Sequence, residues 1–329
     1  MILTALVVAV LTPEVAAHPA VVHKAITKAL PTIVAGATGH AEKKSCFACH
    51  NQAYPMAAFS AAKDRGFDLP GDLLKTQTSH IHEFLESNID KFRAGQGTGG
   101  QVDTAGWALF TLERGGHKPD DATEAVVEYL LKKDATKSHW TSVSNRPPTE
   151  ASIFTANYVA VRGIQKWATT AQKVRVTKRL ESVKAWVLKT PAKDTEDRVY
   201  RLLMLKALDG DAKSIRDAAA ELLDDQHPDG GWGQLPKMES DPYATGTVLF
   251  ALYYTAQLTS KDDVYRRGVA FLVQAQRPDG TWLLKSRSKP FQPYYESGFP
   301  HGNDQFISLS ASSWAVVALL PMSPVKAGR

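Results

Sequence analysis

The stretch QHPDGGW at residues 226–232 recurs as QRPDGTW at residues 276–282. The two segments lie 50 residues apart and share Gln, Pro-Asp-Gly and Trp at the same positions. Pro-Asp-Gly is typical of a tight turn, because Pro presets the backbone and Gly accepts conformations that other residues avoid. A turn that is repeated between helical segments at a fixed spacing predicts a repeat protein.

Each of these turns joins two helical patterns of different character. The preceding segments, 211–225 and 263–275, are rich in Ala, Leu and Val, whereas the following segments, 242–257 and 306–320, are small and apolar nearly all round. Helices that are apolar all round belong inside a protein, and amphipathic helices belong on its outside. Each turn therefore predicts a hairpin of one outer and one inner helix.

The same alternation continues upstream with degraded turns, at a period of about 47 residues. No alternating run between hairpin turns predicts a strand. The sequence thus predicts an all-α fold in which five to six helical hairpins close into a double ring, an α/α toroid, over residues 71–322. An open helical solenoid is the alternative.

The repeated turns resemble the Gln-x-x-Asp-Gly-x-Trp motif of squalene-hopene cyclases and related prenyltransferase-like α/α toroids. The segment SGFP at 297–300, followed by Asp304 and Phe306, is similar to a Gly-Phe-Pro stretch near the C-terminus of those cyclases. The resemblance covers residues 100–320. It implies that the Gln and Trp of each turn tie one hairpin to the next. The amide can serve free N–H groups at a helix start, and the indole can stack on the turn.

Both cysteines of the chain lie in CFACH at residues 46–50. C-x-x-C-H is the attachment signature of c-type haem, in which Cys46 and Cys49 bind the two vinyl groups and His50 binds the iron as proximal ligand. A redox-active dithiol would be expected in a βαβ context, and a zinc site would need two more ligands. The segment therefore predicts one covalent haem c, and cytochrome c-like electron transfer.

The sequence does not determine which residue would be the sixth ligand of the haem iron. Met56 is only six residues from His50, whereas His80 and His82 lie on the next helical stretch and are better placed. A vacant sixth position would favour ligand sensing or peroxide chemistry over simple electron transfer.

The resemblance to terpene cyclases implies a different candidate site. Class II cyclases protonate an alkene or epoxide with the middle Asp of an Asp-x-Asp-Asp motif. This chain has Asp194, Glu196 and Asp197 in that order, with Glu in place of the middle Asp. The simpler interpretation is a helix start, with Asp194 as N-cap and acids in the first turn. The chain is also about half the length of a two-domain triterpene cyclase.

Residues 1–17 combine an apolar run with the small residues Val15, Ala16 and Ala17, which is typical of a secretory signal, although no Lys or Arg precedes the run. This segment predicts export to the periplasm, the kind of compartment in which haem c is attached. Residues 18–70 are assigned to a linker and haem-attachment segment, and residues 323–329 to a tail. No other apolar run approaches the roughly 20 residues of a membrane span.

The formal net charge of +5 is spread along the chain, which argues against a nucleic-acid partner. Three functions remain. The first is an exported haem protein that acts in electron transfer, or in an oxidoreductase system, with a redox partner protein. The second is a cyclase-like enzyme acting on a polyprenyl substrate. The third is a non-catalytic module that binds an apolar or isoprenoid ligand, a lipid or a partner in the toroid cavity.

Overall fold

The computed structural model describes residues 12–324, apart from Val143 and Phe291. Its helices are α1 (Pro13–Ala16), α2 (Pro19–Lys43), α3 (Tyr54–Asp64), α4 (Leu73–Ser87), α5 (Ile89–Arg93), α6 (Gln101–Arg114), α7 (Asp121–Lys132), α8 (Ile153–Trp167), α9 (Lys173–Lys189), α10 (Thr195–Ala207), α11 (Ala212–Leu223), α12 (Pro242–Tyr254), α13 (Asp263–Ala275) and α14 (Gln305–Leu319). Within the described residues, β pairing is limited to one bridge between Arg146 and Glu150. The predicted all-α fold is confirmed.

The long helices form two concentric rings. The inner ring is α3, α6, α8, α10, α12 and α14, in which each helix contacts the next and α14 contacts α3. The outer ring is α2, α4, α7, α9, α11 and α13. Because the chain alternates between the rings, all inner helices run in the same direction. The predicted α/α toroid is confirmed, and the ring closes with six hairpins in the described part of the chain.

Burial follows the predicted division between inner and outer helices. The outer helix α11 buries one stripe, Ile215, Ala218, Ala219 and Leu222, whereas α12 and α14 are buried on nearly every side. The segment Gly302–Met322 is long and apolar enough to cross a membrane, but 78% of its most apolar window lies inside the ring. Its composition is that of a core helix.

Each repeated turn is held by its tryptophan. The indole N–H of Trp232 donates to the carbonyl oxygen of Leu222 at 2.7 Å, and that of Trp282 donates to Leu272 at 2.7 Å. Both acceptors lie in the outer helix that precedes the turn. A buried indole needs a partner for its N–H, so this bond fixes the turn against its own hairpin.

A third tryptophan makes the same bond without the sequence motif. The indole N–H of Trp140 donates to the carbonyl oxygen of Leu130 at 2.7 Å, again ten residues earlier and again in an outer helix. Trp140 is fully buried. It marks a repeat whose Gln and Pro-Asp-Gly are absent from the sequence.

The glutamines of the turns join neighbouring hairpins, but through a different group from the one predicted. The amide N–H of Gln226 donates to the carbonyl oxygen of Val264 in α13 at 2.9 Å. That of Gln276 donates to Ala25 in α2 at 2.8 Å. The amides therefore serve carbonyl oxygens rather than the N–H groups that the sequence suggested. Because α2 takes the place of a following outer helix, the second bond closes the ring.

The hairpin of α2 and α3 comes from residues 18–70, which the sequence analysis assigned to a linker and haem-attachment segment. The ring therefore begins at α2 rather than at residue 71. Helix α2 belongs to the ring because it buries an apolar stripe, Ala25, Ile26, Ala29, Leu30 and Ile33. Residues 1–11 and 325–329, which hold most of the predicted signal and tail, lie outside the described residues, while Ala16 and Ala17 are buried.

Replacing Gln276 by Ala is expected to lower the free energy of unfolding by about 1 kcal/mol, because it removes the side-chain hydrogen bond to the carbonyl of Ala25 that closes the ring. Urea unfolding followed by circular dichroism measures this change. Gln257→Ala is the control, since the Gln257 amide bonds only to Thr255, two residues away. Equal effects of the two substitutions would contradict the role of Gln276.

Candidate site at the mouth of the toroid

The mouth is the end of the toroid at which the N-termini of the inner helices meet. It is built from the residues before each inner helix, chiefly segments 46–53, 141–152 and 283–304. The segments touch: the hydroxyl of Ser288 donates to the carbonyl of Pro147 at 3.3 Å, and the guanidinium of Arg287 donates to Gln234 at 2.8 Å. Helix N-termini carry partial positive charge, so this end favours acidic side chains and anions.

The Cys-x-x-Cys-His segment lies in the mouth, immediately before the inner helix α3. Residues Cys49–Ala53 form a π-helical turn. The turn is anchored on both sides, because the amide of Asn51 donates to the carbonyl of Gly36 at 3.1 Å and Gln52 accepts from the backbone of Ala48 at 2.8 Å. The motif is therefore part of the ring rather than of a separate domain.

His50 is the residue of this motif that faces a cavity. Its imidazole forms part of the wall of a cavity of about 490 Å³ and lies edge-on to the ring of Phe306, with centroids 5.2 Å apart. Burial lowers the pKa of His50 to about 3. The imidazole is therefore neutral at any physiological pH, and neutral imidazole is the form that binds metals.

The cavity has a mixed lining. Its apolar and aromatic residues are Pro290, Pro293, Tyr294, Tyr295 and Phe306, and its charged residues are Arg146, Lys289 and Asp304. Its volume lies within the range of ligand and cofactor sites.

The two thiols of the motif differ in their surroundings. Cys46 is exposed, and Cys49 is buried. Burial raises the pKa of the Cys49 thiol well above its usual range, and the nearby carboxylates of Glu150 and Asp103 add to this effect. Neither thiol is among the described residues that line the cavity.

The three candidates for a sixth ligand lie in three different environments. Met56 is fully buried in α3, and His80 lies 3.5 Å from the carbonyl oxygen of Cys46. His82 is turned instead towards Asp120, at 2.7 Å. None of the three is among the described residues that line the cavity beside His50.

His40 is a neighbour of the motif that the sequence analysis missed. It lies near the end of α2 and is buried, with one ring nitrogen 2.9 Å from the carbonyl of Cys46 and the other 2.6 Å from the hydroxyl of Tyr295. Burial lowers the pKa of His40 to about 4. No motif marks this residue, because only the packing of α2 against the mouth brings it there.

The second candidate site centres on Glu196, in the first turn of α10. The hydroxyls of Thr155 and Tyr243 both donate to its Oε1, each at 3.1 Å, while no described residue hydrogen-bonds to its Oε2. Burial, and then the charge of Asp194, raise the pKa of Glu196 well above its usual range. The burial of Glu196 therefore favours the protonated form of its carboxyl group, and one oxygen is left for a further partner.

The other two acids of the predicted motif make bonds that shape the helix start. Asp194 caps α10 by accepting from the backbone N–H of Asp197 at 2.9 Å. Asp197 accepts from the hydroxyl of Ser152 at 2.6 Å and from the backbone of Lys193 at 3.1 Å. Asp194 is thus committed to the start of its own helix, and Asp197 joins that start to Ser152 before α8.

Two further acids of the mouth are buried. Asp241 caps α12, and burial raises its pKa to about 6. Asp103 lies inside α6 and accepts from the hydroxyl of Ser142 at 3.0 Å, and burial raises its pKa to about 7. No sequence motif marks Asp103 or Asp241 as buried, because their burial depends on distant segments that include Ser142 and Arg287.

The space around Glu196 is small. The void beside it measures about 20 Å³, room for one water-sized group, and is bordered by Pro148, Thr247 and Arg287. Deeper in the ring, aromatic side chains fill the centre, where Tyr54 lies 4.9 Å from Trp107 and 5.6 Å from Trp314 between ring centroids.

Comparisons with known proteins show what this architecture is similar to. No family model matches the chain, and no curated protein matches it. Among solved structures, a single-residue variant of type II terpene cyclase MstE from Scytonema, in complex with geranylgeranyl dihydroxybenzoate (substrate), superposes with a TM-score of 0.55 and 14% identity, over 92% of this chain and 99% of that chain. The apo form of MstE gives a TM-score of 0.52 and 17% identity, over 90% and 99%.

The fold is a terpene cyclase-like α/α toroid. A possible member of the GH105 family from Salmonella enterica also matches, with a TM-score of 0.52 and 11% identity over 95% of both chains. At these identities the similarity concerns the fold alone. The MstE chain is matched over nearly its whole length.

Replacing Glu196 by Gln is expected to stabilise the protein at alkaline pH. The folded-state pKa of Glu196 is raised, so the stability that the protonated acid provides is present below the unfolded-state pKa and is lost as the pH rises above it. Gln keeps the shape without the charge. Urea unfolding should show that the free energy of unfolding of the variant, relative to that of the native protein, is higher at pH 8 than at pH 4. The exposed Glu181→Gln serves as control, and a parallel pH dependence of all three proteins would refute the burial argument.

Proposed function

We propose that the protein is an exported c-type haem protein, with haem attached through Cys46 and Cys49, His50 as proximal ligand and the mouth cavity as its seat. The observation that carries this proposal is the neutral imidazole of His50 in the wall of a cavity of about 490 Å³. The motif and the cavity are independent features, since the motif is local in sequence whereas the cavity is formed by segments up to residue 306.

The cavity beside His50 fits a porphyrin in part. Proline and aromatic side chains offer apolar walls, and Arg146 and Lys289 offer positive charge for propionate groups. Neither Cys46 nor Cys49 lines the cavity, so attachment through both thiols requires the turn that holds them to rearrange. The exposed thiol of Cys46 is accessible for attachment. The thiol of Cys49 is buried in the folded chain, so its attachment must precede closure of the Cys49–Ala53 turn.

A bound haem would supply one-electron transfer, and the chain's own residues would set its surroundings. The apolar walls limit the access of water to the cavity. Arg146 pairs with Glu150 at the edge of the cavity, so its positive charge is held in place. A redox partner protein would accept or donate the electron at the exposed side of the mouth, beside Cys46.

The protein exported from cells with haem-maturation machinery is expected to show a Soret band that survives acid-acetone extraction, since thioether bonds hold the haem covalently. Cys46→Ser and Cys49→Ser should each remove one thioether, which shifts the band of the pyridine haemochrome to longer wavelength. His50→Ala should change the spin state of the iron.

His227→Ala is the control, because His227 bonds to Ser240 and does not line the cavity beside His50. Its spectrum should equal that of the native protein. A colourless product from cells that mature a known cytochrome would remove the haem proposal.

A second candidate, a proton-donating cyclase that acts on a polyprenyl substrate, is supported by the fold comparisons more than the first. MstE, with the same fold, is a type II terpene cyclase whose substrate carries a geranylgeranyl group. In this chain the observation that favours it is the hydrogen bonding of Glu196. Two hydroxyls donate to Oε1, which stabilises the carboxylate formed when Oε2 gives up its proton.

The reaction would transfer the proton from Oε2 to an alkene carbon and leave a carbocation, which aromatic faces stabilise. The aromatic side chains of Tyr54, Trp107 and Tyr200 lie in the interior of the ring. A substrate needs more room than the void beside Glu196 offers. Entry would therefore require the segment around Arg287 to move off the mouth.

Assays with geranylgeranyl-bearing aromatic substrates test this candidate. Glu196→Gln is expected to abolish product, and Tyr243→Phe should lower kcat by about 10²-fold or more, because it weakens the acid. Tyr265→Phe is the matched control, since its hydroxyl bonds to the carbonyl of Ala318 outside the mouth. Turnover by Glu196→Gln at the native rate, or no turnover by the native protein, would rule out Glu196 as the catalytic acid.

A further inference from the structure

Two imidazoles and a carboxylate meet on the outer side of the ring. His82 lies on α4, His117 in the loop between α6 and α7, and Asp120 just before α7. The Nε2 atoms of both histidines lie 2.7 Å from the same carboxylate oxygen, Oδ2 of Asp120. The two imidazole centroids are 4.5 Å apart. The cluster follows the C-terminal end of an inner helix, so it is remote from the mouth.

We propose that His82, His117 and Asp120 form a binding site for a divalent transition-metal ion, with Zn²⁺ as its ion. One ligand atom from each residue lies within 4.8 Å of the others. Atoms so arranged can surround one ion at zinc–ligand distances of about 2.0–2.2 Å after small side-chain rotations. Two imidazoles and one carboxylate are a ligand set that zinc uses in sites with an open position, which a water molecule completes.

The residues around the cluster hold its ligands in place. Nδ1 of His82 lies 3.5 Å from a carboxylate oxygen of Glu86, one helical turn further along α4. A carboxylate near the far nitrogen is a common second partner of a metal-binding imidazole.

Asp120 is fixed in a similar way. Its Oδ1 accepts from the backbone N–H of Thr123 at 2.9 Å as the N-cap of α7, which leaves Oδ2 for the imidazoles. The two oxygens of Asp120 are thus divided between the start of α7 and the imidazoles.

The cluster is accessible to an ion from solution. The side chains of His82, His117 and Asp120 are 21%, 20% and 32% exposed. An imidazole–carboxylate network without a metal would need a proton on the Nε2 of each histidine, because both nitrogens face one acceptor oxygen. An ion at the centre would replace those protons. This ion would also join α4 to the loop between α6 and α7, and so tie two neighbouring hairpins together.

Isothermal titration of the full-length, metal-free protein with ZnCl₂ tests the proposal. The Cys46→Ser/Cys49→Ser variant is used as the background, because the two thiols and His50 could bind zinc on their own. One zinc ion per chain is expected. His82→Ala and His117→Ala should each weaken its binding by about 10- to 100-fold or more. His139→Ala is the control, since His139 stacks on Trp186 far along the chain and should leave the affinity unchanged.

Thermal unfolding with and without zinc distinguishes a variant that has lost the metal site from one that has lost its fold. Zinc should raise the Tm of the background protein and of His139→Ala, but not that of His82→Ala or His117→Ala, while all four proteins should keep the same helical circular dichroism. Co²⁺ in the same background should give d–d bands without a thiolate charge-transfer band. Zinc affinity that is unchanged in both histidine variants, or no zinc binding to the background protein, would overturn the proposal.

Discussion

The hydrogen bond from a buried indole N–H to a carbonyl ten residues earlier sets the geometry of the ring. Trp140, Trp232 and Trp282 all make it at 2.7 Å, each to the preceding outer helix. The backbone N–H of Trp232 also donates to the hydroxyl of Thr245 in the following inner helix. In the same way, the backbone N–H of Trp282 donates to Ser312 and that of Trp140 to Asn157. One residue therefore holds the outer helix, the turn and the next inner helix. Because this unit is repeated, the inner helices all run in one direction and their N-termini gather at one end.

That convergence explains why both candidate sites lie in the mouth. Aligned helix N-termini place partial positive charge there, which acidic side chains balance. Asp194 and Asp241 serve as caps, whereas Glu196 is buried inside the ring, where burial raises its pKa. The Cys-x-x-Cys-His segment lies at the same end because α3 is itself an inner helix. His50 therefore precedes the N-terminus of α3, just as Asp194 and Asp241 precede the N-termini of α10 and α12.

The sequence was informative where a feature is local and repeated. The turns at 226–232 and 276–282 predicted the hairpins and the toroid, and both were confirmed. It was silent where partners lie far apart: the bond from Gln276 to Ala25 spans 251 residues, and that from His82 to Asp120 spans 38. The sequence does not reveal the role of Trp140, because this repeat keeps the indole hydrogen bond without a Pro-Asp-Gly turn. The hairpin of α2 and α3 escaped notice because no turn motif marks the first repeat.

The two candidate functions of the mouth exclude each other on physical grounds. Tyr54 follows the Cys-His motif by four residues and fills the centre of the ring between Trp107 and Trp314. A polyprenyl chain next to Glu196 would have to displace such side chains, and α3 with them. A haem held covalently at Cys46 and Cys49 would instead fix the start of α3, and thereby Tyr54, in the position seen here. The cavity beside His50 is already about 490 Å³, whereas the void beside Glu196 is about 20 Å³. In the described conformation the mouth therefore has room for a group beside His50 but only for a water-sized group beside Glu196.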